Sequence, residues 1–118
     1  MSDKRKQKME VLSEKKCQVC EIGTGKAMSI DAAMPYLSQL NEWQISEDGK
    51  KITKRFSFKG FYKTMAFVNA VAWVANTEGH HPDMQVGYNY CVIDFTTHAA
   101  DGLTENDFIC AAKVDKLM

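Results

Sequence analysis

The sequence predicts an α+β fold: a four-stranded antiparallel sheet with three helices on one face, in the order α-β-β-α-β-β-α. Two stretches alternate apolar and polar residues with period two, and each is broken by turn-forming residues, as a hairpin requires. Three other stretches carry apolar residues at helical spacing. Strands of that kind bury one face only, and the apolar helices supply its cover.

The first helix is expected over residues 29–40, with Asp31 able to cap it and Pro35 tolerable only near its first turn. Trp43 and Ile45 then alternate with Gln44 and Ser46. Glu47-Asp48-Gly49-Lys50 reads as the hairpin turn, with Asp-Gly supplying the positive-φ positions. On the returning strand Ile52, Phe56 and Phe58 face one way, and Lys51, Thr53, Arg55 and Ser57 the other. The longest helix is expected over residues 61–78. It carries Phe61, Met65, Val68, Ala72 and Ala75 at helical spacing, with Phe67, Val71 and Val74 beside them. So wide a stripe suits a helix pressed on a sheet and also on a partner. Gly79 is the expected left-handed stop, and Pro82 keeps helix from resuming. Residues 84–97 read as a second hairpin turning near Asn89, with Cys91, Ile93 and Phe95 on one face and Val92, Asp94 and Thr96 on the other. The last helix is expected over residues 104–117, capped by Thr104 and stapled by Leu103 and Phe108.

A chain of 118 residues suits one domain, and its modest core favours association with a second copy. Residues 1–28 read as a charged N-terminal extension and Gly-containing linker, and residues 29–118 as the folded domain. The formal net charge of zero argues against a dedicated nucleic-acid or membrane-surface protein. Within residues 1–16, six Lys/Arg face three acidic residues, which reads as a solvated head rather than a nucleic-acid arm. No stretch approaches the ~20 apolar residues of a membrane span. No apolar run follows the basic start, so the cytoplasm is the expected compartment. Cys17, Cys20, Cys91 and Cys110 are then expected as reduced thiols.

All three histidines fall between positions 80 and 98. His80 and His81 occupy a corner between a helix end and a strand, and His98 the end of a strand. Element ends on a rigid frame are where chemistry is usually placed. An imidazole titrates near neutrality, so two of them can serve as general acid and general base. Three histidines can also hold zinc, but adjacent His80 and His81 make awkward joint ligands, and no metal is expected. Cys17-Gln-Val-Cys20 lacks the second pair of a zinc ribbon and the preceding strand of a thioredoxin-like unit. Asp107, three residues after Thr104, reads as a helix-capping residue.

Glu78-Gly79-His80-His81-Pro82-Asp83, Tyr88-Asn89, Thr97-His98 and Gly102-Leu103-Thr104-Glu105-Asn106-Asp107 resemble the pterin-4a-carbinolamine dehydratases. The likeness extends through Trp43, Asp48-Gly49, Phe56-Ser57-Phe58 and Phe67-Val68-Asn69. It implies the α+β arrangement, a homodimer or homotetramer, and a pterin substrate. It also implies a catalytic cluster of His80, His81 and His98, with Asp107, Pro82 and His80 against the substrate, and no cofactor. The implied reaction is dehydration of a 4a-hydroxytetrahydropterin made by aromatic amino acid hydroxylases. Some animal members also bind a transcription factor, so an interaction module on the same fold is the alternative. Met84 stands where members often carry an aromatic residue, which would loosen contact with the pterin ring.

Overall fold

A computed structural model describes residues 11–17 and 26–118. The first helix, α1 (Ile30–Leu37), is shorter than its apolar pattern. The Ser29 hydroxyl accepts from the Ala32 N–H at 3.1 Å, so Ser29 is the cap and Asp31 lies in the first turn. Pro35 lies inside α1, which ends two residues later.

Strands β1 (Gln44–Ile45) and β2 (Ile52–Ser57) form the first hairpin, with Gln44 opposite Thr53 and Ile45 opposite Ile52. Only Gly49 has positive φ in the turn, at 73°. Asp48 uses its side chain instead. Its carboxylate accepts from the Ser46 hydroxyl and the Lys50 N–H, and these bonds hold it below the ordinary carboxylate range.

Helix α2 (Phe61–Glu78) ends at Gly79, whose φ of 69° and ψ of 29° make the expected left-handed stop. It buries Thr64, Phe67, Val71, Val74 and Ala75. Its outer face leaves Tyr62 87% and Trp73 68% exposed. Strands β3 (Asp83–Val86) and β4 (Tyr90–Phe95) form the second hairpin, and the sheet order is β1-β2-β4-β3. The two hairpins join through β2 and β4, in register from Ile52 opposite Phe95 to Ser57 opposite Tyr90.

The core lies between one sheet face and the helices: Ile52, Phe56, Cys91, Ile93 and Phe95 meet Phe67, Val71, Leu103, Phe108 and Ile109. Strand alternation also turns Lys54 toward this face. Its ammonium lies 4.7 Å over the Phe56 ring and donates to Asp115 Oδ1 at 2.9 Å. Asp115 also accepts from Trp43 Nε1 at 3.1 Å. Helix α3 (Glu105–Asp115) opens on a capping box between Thr104 and Asp107. Residues 11–17, with a short turn of 3-10 helix at Leu12–Glu14, pack on α3, and Leu12 is buried in the core. Among the described residues no helix is long and apolar enough to cross a membrane.

Candidate active site

Asp83 at the start of β3 lies opposite Asp94 near the end of β4. His80-His81-Pro82 lead into β3, and Thr97-His98 lead out of β4. The antiparallel register therefore brings all three histidines to one end of the sheet.

His80 is the anchored member. Its backbone N–H donates to the Ala75 carbonyl at 3.1 Å, completing the end of α2. Its ring stacks on Phe95, with centroids 5.9 Å apart and planes 7° from parallel. Nε2 stands 2.6 Å from Asp107 Oδ1, and Asp107 has no exposed side-chain surface. The other carboxylate oxygen, Oδ2, accepts from Thr97 Oγ1 at 2.8 Å and from the Thr104 N–H at 2.9 Å. The Thr97 and Thr104 hydroxyls are 2.8 Å apart. The contact with Asp107 occupies Nε2 and leaves Nδ1 as the ring nitrogen outside this bond. Asp107 thus caps α3 and orients His80 with the same side chain.

His81 and His98 are exposed. His98 opens a 3-10 turn, His98–Ala100, that ends at Asp101 in the left-handed region with φ 57°. Thr97 bridges back to Gly102, and a side chain at Gly102 would place its Cβ 2.6 Å from that of Ala27. The stretch that carries His98 is therefore pinned at both ends. Pro82 is half-buried, and Met84 packs partly against the core. A surface groove of about 390 Å³ between Ser13, α2 and α3 contains none of the three histidines, so chemistry rather than concavity marks the site.

The sequence makes the Thr104–Asp107 capping relation legible, because the two lie three residues apart. It does not reveal Thr97 as a carboxylate partner or Phe95 as the platform under His80. Both depend on pairings between distant segments. Cys91 and Cys110 are buried, as packing residues would be; Cys20 lies outside the described residues. Among the described residues no group of three or more His, Cys, Asp or Glu side chains is placed to hold a metal ion.

The family described as Pterin 4 alpha carbinolamine dehydratase matches residues 26–117. A provisionally named pterin-4-alpha-carbinolamine dehydratase of Legionella pneumophila is 58% identical over 108 residues, spanning 91% of this chain and 95% of its own length. One from Nitrosomonas eutropha, also provisionally named, is 54% identical over 108 residues, with 91% and 93% covered. A crystal structure from Brucella melitensis described as a transcriptional coactivator/pterin dehydratase superposes with a TM-score of 0.74 at 28% identity, over 78% of this chain and 98% of that one. A pterin dehydratase-like protein described as a RuBisCO assembly factor in the alpha-carboxysome gives a TM-score of 0.58 at 29% identity, over 65% and 89%.

Proposed function

The chain belongs to the pterin 4 alpha carbinolamine dehydratase family, and from that premise we propose that it is a hydro-lyase converting a 4a-hydroxytetrahydropterin to the quinonoid dihydropterin. The observation that carries this reading is the buried Asp107 carboxylate holding His80 at 2.6 Å, at the end of the sheet where His81 and His98 also stand. Loss of water needs a proton delivered to the departing hydroxyl and one removed from N5 of the pterin. Two imidazoles do both near neutral pH, so the reaction requires no metal or organic cofactor.

His81 and His98 are the acid/base pair in this reading. Both are exposed, so a substrate can reach them. His80, with Nε2 committed to Asp107, offers Nδ1 to the substrate. Asp107 has no exposed side-chain surface and acts through His80 as a positioning residue. The reaction would serve pterin recycling for aromatic amino acid hydroxylation, in the cytoplasm, by a homo-oligomer.

A second reading is a protein-interaction module. It draws on the coactivator and assembly-factor descriptions of the two structural relatives and on the exposed Tyr62 and Trp73 of α2. One assay separates the two. Purified protein is added to a 4a-carbinolamine generated in situ by an aromatic amino acid hydroxylase, with and without EDTA. The dehydratase reading expects acceleration above the spontaneous rate, unchanged by chelation. No acceleration would leave the interaction module, and loss with EDTA restored by zinc would assign the chemistry to a metal.

A further inference from the structure

Among the described residues, the cysteine beside Cys17 is Cys110 on α3, 93 residues away in sequence. The two sulfurs stand 3.4 Å apart, with Cys17 half-buried and Cys110 fully buried. Two thiolates sharing one tetrahedral zinc, each at about 2.3 Å from it, would stand about 3.8 Å apart. The pair is closer than that, in direct sulfur contact. The segment that carries Cys17 is docked independently of the sulfurs. Leu12 is in the core, the Lys113 ammonium donates to the Ser13 carbonyl at 3.0 Å, and Lys15 pairs with Glu105. The Cys17 N–H donates to the Glu78 carboxylate at 3.0 Å. These contacts hold one thiol against the other before any bond forms between them.

We propose that Cys17 and Cys110 are a reversible redox pair whose disulfide staples residues 11–17 to α3. The oxidant is a low-molecular-weight disulfide such as oxidised glutathione. The Cys17 thiolate, the more accessible of the two, attacks one of its sulfurs. This gives a mixed disulfide and releases one small thiol. Cys110, once deprotonated, attacks the Cys17 sulfur and expels the second small thiol. The protein loses two protons and two electrons, and the small disulfide becomes two thiols. The contact with Cys17, with burial added, pushes the Cys110 thiol well up from its ordinary value. Its thiolate is therefore not stabilised, which favours the disulfide once formed. Cys91, buried in β4, is the internal control.

The test is thiol mapping of the full chain. Protein is equilibrated with oxidised glutathione, quenched with acid, alkylated, digested without reductant and analysed by mass spectrometry. The expected product is a peptide pair linked through Cys17 and Cys110, with Cys91 alkylated. The same link should form in Cys20→Ser. The linked protein should melt at least about 5 °C above the reduced form, because the bond closes a long loop. A Cys17–Cys20 disulfide, a mixed disulfide at Cys17 with Cys110 still alkylated, or an unchanged melting temperature would each overturn the proposal.

Discussion

His81→Ala and His98→Ala should each lower the dehydration rate at least about 100-fold, since general acid or base catalysis contributes roughly 100- to 10,000-fold. The double variant should lose much less than the product of the two losses, because residues that act as a unit are not additive. Steady-state kinetics with circular dichroism as folding control measures both, and near-wild-type rates in the single variants would remove the catalytic cluster. Thr97→Val tests the layer beneath. It deletes a hydroxyl that is hydrogen-bonded to Asp107 Oδ2 and lies 2.8 Å from the Thr104 hydroxyl, at a residue 3% exposed. A loss of about 1–3 kcal/mol in denaturant unfolding is expected. The rate should fall several-fold, and Thr97→Ser, which keeps the hydroxyl, should recover most of both. Recovery of stability without recovery of rate would count against a positioning role. That the three histidines lie at one end of the sheet was legible in sequence because they sit on two element ends. The link from His80 to Asp107 spans 27 residues and exists only once α3 has docked.

At the scale of elements, Asp115 ties α3 to the first hairpin through Lys54 and to the residue just before β1 through Trp43. Asp115→Ala would strand both donors, one of them an ammonium with a side chain only 10% exposed. A destabilisation of about 2–4 kcal/mol is expected, discounted for the partial exposure of Asp115. Lys54→Met should cost clearly less, because Asp115 then keeps its Trp43 bond. Equal losses in urea titrations would refute this account. Glu78, at the end of α2, offers a pH test. Burial pushes its carboxyl up, but the Cys17 N–H and the Lys113 ammonium outweigh burial and hold it below its ordinary value of 4.5. A depressed carboxyl stabilises the fold above the unfolded pKa, and that stability is lost as pH falls through the folded value. The stability gap between wild type and Glu78→Gln should therefore be full at pH 7 and shrink below about pH 4.5. A constant gap down to pH 3 would rule it out. The two hairpins and α2 were legible because turn residues punctuate the strand alternation and helical spacing runs the length of α2. Lys54 breaks the apolar pattern on its strand face, and its place is explained only by an acceptor on the last helix. Ser29 and Asp31 are both capping residues by type, and only the observed start of α1 decides between them.

For the whole molecule, Tyr62, Ala66, Asn69, Trp73 and Asn76 follow helical spacing along the exposed side of α2. A small domain that leaves two large aromatic side chains on such a stripe is expected to associate. Sedimentation velocity at micromolar concentration should give at least a dimer, and a stable monomer would sink that expectation. The apolar stripe read from sequence took in Phe67, Val71, Val74 and Ala75, which the core buries, and left out Tyr62 and Trp73, which stand on the exposed side. The capping box of α3 has a further consequence, in the order of synthesis. A chain is made from its N-terminus, so His80 is synthesised 27 residues ahead of Asp107, and α3 is the last element of the fold to be made. Until the final helix docks, the imidazole lacks the carboxylate that holds its Nε2. On the proposed dehydratase reading, a partly folded chain lacks its oriented His80, and full activity on refolding should follow the docking of that helix rather than closure of the sheet.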